Sequence, residues 1–454
     1  MTPPSTATPP VTAPVIGPGR RERLRQAPSR LVAGSVAEVV GTELRLRGLR
    51  LRVGEGVTIH TADGPVPAEV VGLTDDGAHA LTLGSLAGAA RGDAVTRDPD
   101  AGTSRIGIGL LGRVVDGLGR PLDGGGPVEG EPCRVEQPAP SPLERQRIAQ
   151  ALPTGVRVID TLNTIGKGQR IGLFAGSGVG KSTLLGMMAR GARTDVQVLA
   201  MVGERGREVR EFVEDNLDEE TRARSVIVAA TSDQPALLRV RAVLLATRIA
   251  EHFADAGADA LLLCDSLTRV AIAQREIGLA AGEPPSARGY TPSVFALLPR
   301  LLERAGPRAQ GTITGFYTVL VDGDDHDEPI ADAARGILDG HLVLSRRMAN
   351  AGRYPALDPL ASLSRLAPQV RTAAQERDAT AVRAALAAAE EVRELVELGA
   401  YQQGSNPLAD QGLAIRDDAA DLFSQTPGEL TDAEESWVLL GELAKRTRRG
   451  GGGS

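Results

Sequence analysis

The chain carries only two cysteines in 454 residues, Cys133 and Cys264. They lie far apart and lack metal-site spacing, which excludes a disulfide-stapled scaffold and a cysteine zinc site and points to a reducing compartment. Cys264 sits in an apolar run and reads as a buried thiol. Aromatic residues are scarce too, at 2%, too few for the stacking platforms that single-stranded nucleic acid requires. A surplus of positive charge is also missing. Asp and Glu number 58 against 51 Lys and Arg, for a net charge of −7, which argues against general affinity for nucleic acid or anionic membrane. No apolar run approaches the roughly 18 residues of a membrane span. Met1-Thr-Pro-Pro-Ser5 has neither a basic segment nor an apolar one, so no secretory signal is expected.

Lysine is rare too: Lys167, Lys181 and Lys445 are the three, and every other basic residue is arginine. One of the three falls in the most informative stretch of the chain, Ala175-Gly176-Ser177-Gly178-Val179-Gly180-Lys181-Ser182. An apolar run, Ile171–Phe174, precedes it, and Thr183-Leu-Leu-Gly-Met-Met-Ala189 follows. Strand, glycine-rich turn and helix are the context a P-loop needs. Its glycines let backbone N–H groups converge on phosphate oxygens, and the helix N-terminus adds positive potential. Lys181 would reach the β- and γ-phosphates and the Ser182 hydroxyl would ligate Mg²⁺, with Thr183 continuing the first turn. A compact ammonium suits this crowded place better than a planar guanidinium. Ala175 replaces the first motif glycine but leaves the cradle intact.

The length suggests two to four domains, and a hydrophobic content of 42% supplies ample core. Residues 1–29 are rich in Pro and Thr and then in Arg, and read as a disordered or partner-binding segment. Over residues 30–100, Leu44 and Leu46, then Leu49, Leu51 and Val53, alternate with polar residues between regularly spaced glycines. That pattern predicts a small β-barrel. Residues 101–150, rich in Gly and Pro, predict an extended linker leading into the core. Residues 151–367 alternate strand and helix signals. Leu199–Val202, Val226–Ala230 and Leu261–Cys264 read as buried parallel strands of an α/β domain. Residues 368–449 carry helical stripes, and 450–454 form a flexible tail.

Phosphoryl transfer needs a carboxylate near the metal, a residue that orients water and a cation for developing charge. The apolar strand Leu261-Leu-Leu-Cys-Asp265 ends in a carboxylate that would hold Mg²⁺. Taken alone, such an Asp is more often a turn or a helix cap. Glu204, in Val202-Gly-Glu-Arg-Gly-Arg-Glu208, follows another buried strand and would polarise a water. The same run fits a solvated charged loop, and spacing does not choose between the two. Asp322, Asp324, Asp325 and Asp327 lack calcium-loop spacing and read as a solvated turn.

Taken together, the P-loop, Gly203-Glu-Arg205, the Asp265 strand and Tyr354-Pro-Ala-Leu-Asp-Pro-Leu-Ala-Ser-Leu-Ser-Arg365 resemble the rotary and secretion ATPase family. That family includes the ATP synthase α and β subunits and the export ATPases of flagella and type III secretion. Phe174–Thr183, Ala230-Thr-Ser-Asp-Gln-Pro-Ala236, Ile277-Gly-Leu-Ala-Ala-Gly-Glu-Pro-Pro285, Asp324–Asp332 and Ile337–Arg346 look specifically like the flagellar export branch. The virulence secretion ATPase shares the chemistry and is the alternative. A nucleotide-binding regulatory subunit and a hexameric RNA helicase are others. Glu204 argues against the first, and the acidic, aromatic-poor composition against the second.

The resemblance implies a RecA-like P-loop core between an N-terminal β-barrel and a C-terminal helical domain. It implies ATP as substrate with Mg²⁺, and ATP contacts from Gly176 to Thr183. Glu204 matches the general base, Arg269 an arginine near the γ-phosphate, and Arg365 an arginine finger reaching a neighbouring subunit. Tyr354 matches an aromatic that stacks on adenine, though a core tyrosine fits as well. A homohexamer is implied, with a central stalk, a stator-like regulator, chaperone–substrate complexes and a membrane export gate as partners. The implied location is cytoplasmic and peripheral at the inner face of the plasma membrane. One departure concerns the N-terminus: Pro3–Pro18 does not suit the short helix by which related ATPases hold their regulator.

Overall fold

The computed structural model describes residues 33–321 and 328–449. The Pro/Thr-rich start, the aspartates Asp322, Asp324, Asp325 and Asp327, and the Gly-Ser tail lie outside the described residues.

Six strands come first: β1 Gly34–Val40, β2 Glu43–Arg47, β3 Gly56–Thr61, β4 Gly64–Thr74, β5 Gly77–Thr82 and β6 Ala94–Arg97. They close into a barrel in the order β1-β2-β5-β4-β3-β6. Closure removes exposed edges, and side chains alternate in and out. Leu44 and Leu46 point inward between exposed Arg45 and Arg47. Leu49, Leu51 and Val53, expected to continue the alternation, form no strand. Gly48 (φ 84°) and Gly54 (φ 82°) turn the chain there. Leu49 and Leu51 instead pack against the barrel core, and Val53 is exposed.

Residues 101–150, expected as a linker, do more than connect. β7 Thr103–Ile106 and β9 Glu131–Arg134 pair with each other, and β8 Val114–Val115 lies parallel to β12 at the edge of the main sheet. A two-residue strand carries no periodicity, so the sequence does not announce it.

The main sheet adds β10 Arg170–Ala175, β11 Val196–Val202, β12 Ser225–Ala230, β13 Asp259–Asp265, β14 Gly306–Pro307, β15 Thr312–Leu320, β16 Gly340–Leu344 and β17 Leu357–Ser364. Its order is β17-β16-β10-β15-β13-β11-β12-β8, with β14 beside β15. β17 and β14 run antiparallel to their neighbours, and the other pairings are parallel. The strands are apolar on both faces because helices cover both. Leu262 and Cys264 join one core with α3 Ala236–Asp255, α4 Leu267–Ala280 and α5 Pro292–Leu302. Leu261 and Leu263 join the other with α1 Lys181–Gly191. The remaining site helix, α2, spans Gly206–Asp215. Leu81 and Leu83 seat the barrel on Leu237, Leu238 and Ile277 of α3 and α4.

Three long helices pack together toward the end of the described residues: α6 Ala373–Glu391, α7 Pro407–Phe423 and α8 Ala433–Arg449. Thr372 and Gln375 cap α6 reciprocally, satisfying orphan N–H groups at its start. Val382, Ile415 and Leu440 share one core with α1. Arg157 ties the loop after α7 to the α/β domain. It donates to Leu422 O (2.6 Å), Ser424 O (2.6 Å) and Glu429 Oε1 (2.6 Å). That loop is thereby held beside the P-loop.

Candidate active site

In a parallel sheet the strands end at one edge, where loops converge. β10 ends at Ala175 and α1 begins at Lys181. Gly178 (φ 76°) and Gly180 (φ 92°) take the left-handed turns between them, which glycine adopts without steric cost. No side chain caps α1, so its first N–H groups are left for an anion. Gly176, Ser177, Gly178 and Gly180 line the loop. Val179 is buried, so it offers backbone alone. Ser182 is exposed on the first turn and Thr183 follows it.

β11 delivers Glu204 and β13 delivers Asp265 to the same edge, both almost buried at 6% and 5% exposure. Lys181 Nζ donates to Asp265 Oδ1 and lies 3.4 Å from Glu204 Oε1. Arg269, on the first turn of α4, places Nε 3.4 Å from Glu204 Oε1. That nitrogen is buried without a hydrogen bond, so the contact is an ion pair only. Gly203 makes this arrangement possible. Its φ is 71°, and a Cβ there would stand 2.6 Å from Arg269 Cδ. Burial pushes the Glu204 carboxyl above its usual range; Lys181 opposes this, while Asp265 and a hydrogen bond with Glu208 reinforce it. The same bond holds Glu208 below its usual range.

Tyr354 flanks the loop. A Cβ on Gly180 would lie 3.4 Å from its ring. The ring borders an apolar cleft of about 470 Å³, lined on one side by Thr183, Leu184 and Met187 and on the other by Ser424–Pro427. Its size suits a small-molecule site. Gln425 anchors the far wall, accepting from Arg157 N (2.8 Å) and donating to Gly155 O (3.0 Å).

The structure thus brings Lys181, Glu204, Asp265 and Arg269 together and sets Tyr354 beside them. Arg365 is elsewhere. Its N–H donates to Asp339 O (3.1 Å), and Asp339 holds Arg170 at the opposite end of β10. Five residue steps of strand, roughly 17 Å, separate that end from the P-loop. Arg365 is exposed there. Sequence reasoning missed the Ser424–Pro427 wall, Glu208, and Thr318, whose hydroxyl donates to Asp265 Oδ1 (2.7 Å). The wall comes from some 240 residues away and carries no motif beyond Thr426-Pro427.

The oxygen donors of Asp265 and Ser182 fit a hard cation such as Mg²⁺. Among the described residues no cluster of three or more His, Cys, Asp or Glu could hold a metal by itself. Mg²⁺ needs none, being bound through one or two carboxylates, substrate phosphates and water.

Residues 155–364 match the ATP synthase alpha/beta family nucleotide-binding domain, and residues 372–442 match the T3SS EscN ATPase C-terminal domain. The chain is 46% identical over 414 residues to the flagellum-specific ATP synthase of Bacillus subtilis, covering 90% of this chain and 94% of that protein. It is 48% identical over 410 residues to the type 3 secretion system ATPase of Xanthomonas euvesicatoria, covering 90% and 93%. Among solved structures, the assembled ATPase EscN of the enteropathogenic E. coli type III secretion system superposes with a TM-score of 0.86. There the identity is 41%, with 90% of this chain and 100% of that chain covered. On sequence and fold together, the chain belongs to the ATP synthase α/β family, in its group of flagellum-specific and type 3 secretion ATPases.

Proposed function

We propose that the chain hydrolyses ATP, with Mg²⁺, as the energy-converting subunit of a flagellar protein-export apparatus. The observation that carries this reading is the contact of Lys181, Glu204, Asp265 and Arg269 at the mouth of a P-loop beside an apolar cleft. Adenine occupies the cleft against Tyr354, and the phosphates lie along Gly176–Thr183. Lys181 exchanges its carboxylate partners for the β- and γ-phosphates. Ser182 and Asp265 hold Mg²⁺, which when bound neutralises charge on the phosphate oxygens. Glu204, its pKa raised, orients a water and accepts its proton as oxygen attacks the γ-phosphorus and the bond to the β–γ bridging oxygen breaks. Arg269 balances charge on the transferred group.

Arg365 cannot reach the P-loop of its own chain. It serves the next subunit of a closed homohexameric ring, a head-to-tail arrangement that repeats the same interface. A central stalk, chaperone–substrate complexes and a membrane export gate are the partners of such a ring, which works in the cytoplasm at the inner face of the membrane. No described helix is long and apolar enough to cross a membrane. A stator-like regulator is the remaining partner the family implies; Pro3–Pro18 does not suit the helix that would hold it, which leaves Gly19–Gln26 as the one N-terminal stretch that could serve.

The second reading, an injectisome ATPase, rests on the equal similarity to the type 3 secretion relative. Restoring motility to a flagellar ATPase deletion, against restoring effector secretion to an injectisome deletion, separates the two. The chemistry is tested by Mg²⁺-dependent phosphate release. Glu204→Gln should keep nucleotide affinity and lose about 10²–10⁴-fold in kcat. Full turnover in that variant would remove Glu204 from the general-base role and leave it only the buried ion-pair partner of Lys181 and Arg269.

A further inference from the structure

β15 is buried on both faces along most of its length, Ile313 to Val319. Val or Ile is the residue such a position calls for. Thr318 nevertheless carries a hydroxyl, at 0% exposure. A buried hydroxyl needs a partner, and this one donates to Asp265 Oδ1 at 2.7 Å. The next strand over, β13, supplies that carboxylate. Oδ1 of Asp265 therefore accepts from two donors, Thr318 and Lys181.

The two donors differ in freedom. Lys181 is a flexible side chain at the site, and on the proposed reading it leaves for the phosphates. Thr318 is β-branched in the middle of a sheet, with its χ1 stiffly held. Once Lys181 departs, a buried carboxylate on a strand end would be free to turn. We propose that Thr318 is the positioning residue of this site: it fixes Asp265 by one oxygen, so that the other stays directed toward the metal throughout the cycle. Outer partners of this kind orient metal-holding carboxylates, and their loss commonly costs 10–100-fold in metal affinity or activity. This rests on the ATPase reading of the site.

The test compares Thr318→Val and Thr318→Ser in the full chain. Valine keeps the shape and removes the hydroxyl; serine keeps the hydroxyl. A fluorescent, non-hydrolysable ATP analogue is titrated in EDTA and again over a range of Mg²⁺ concentrations, alongside phosphate release. The valine variant should bind the analogue in EDTA as the wild type does. Its half-saturating Mg²⁺ should rise about 10–100-fold, its kcat should fall, and serine should restore both. A valine variant with wild-type Mg²⁺ dependence would overturn the proposal, as would a serine variant no better than valine. Affinity lost equally with and without Mg²⁺ would also overturn it, by showing general damage to the strand. Should valine fail to fold, a serine variant with altered Mg²⁺ dependence does the same. If the wild type itself binds no nucleotide, the ATPase reading falls instead.

Discussion

Gly203 offers the sharpest single perturbation of the site, because its missing side chain is what lets Arg269 lie across the end of β11. Gly203→Ala adds two costs. A non-glycine residue in the left-handed region costs roughly 1–2 kcal/mol. The new Cβ also stands 2.6 Å from Arg269 Cδ and 2.9 Å from Arg269 Cβ. The first atom swings away on a flexible side chain. The second is fixed to α4 and moves only with the helix. Restoring contacts of about 3.5–4.0 Å means a retreat of about 1 Å by the guanidinium and the helix end. Overpacking of this kind adds roughly 1–3 kcal/mol, for a total near 2–5 kcal/mol. A misplacement of about 1 Å in a reacting constellation costs on the order of 10²-fold in rate. Gly41→Ala is the matched control: its φ is 59° and nothing lies within 4 Å of the added Cβ. It should lose stability through strain alone and keep its kcat. The assays are denaturant unfolding and steady-state phosphate release. A Gly203→Ala variant as active as Gly41→Ala would refute the claim that Gly203 seats Arg269 against Glu204.

Other outcomes follow from the same geometry. Glu204 must be deprotonated to act as base, and its pKa is raised. The acid limb of kcat/KM should therefore lie above the ordinary carboxylate range of about 4.3, with activity lost as pH falls through it. Glu208→Gln removes a bond that raises Glu204, so the limb should move to lower pH; an unchanged or higher limb would contradict this. Tyr354→Ala should raise the Kd for ATP by about 5–100-fold, the scale of one base–aromatic stack, while Tyr354→Phe should leave it near wild type. Equal affinities for all three proteins would take the ring out of the adenine cleft.

Legibility of the sequence varied with the physical signal. The P-loop was plain because its glycines, lysine and flanking strand and helix are contiguous. Asp265 and Glu204 were visible as carboxylates ending apolar strands, but their meeting at Lys181 depends on the order of β10, β13 and β11 in the sheet. Thr318 was silent because a hydroxyl in a buried strand differs from valine only by its partner. The cleft wall at Gln425 was silent because α6 and α7 had first to bring it back to the P-loop. Val53 misled by alternation: two glycines with positive φ broke the strand that the pattern suggested. Residues 114–115 were too few to show a period at all.

On the proposed reading, each site takes its finger from another chain. Arg365 lies at the far end of β10 from Lys181, so a finger role for it requires a neighbouring subunit. Lys181→Ala should disable the cradle and Arg365→Ala the finger, the latter by a factor on the scale of 10³. Mixed at ring-forming concentration, the two inactive proteins create interfaces where an intact cradle meets an intact finger. Phosphate release should then reappear, rising with the product of the two fractions. If light scattering shows mixed rings and no activity returns, Arg365 does not act across the interface.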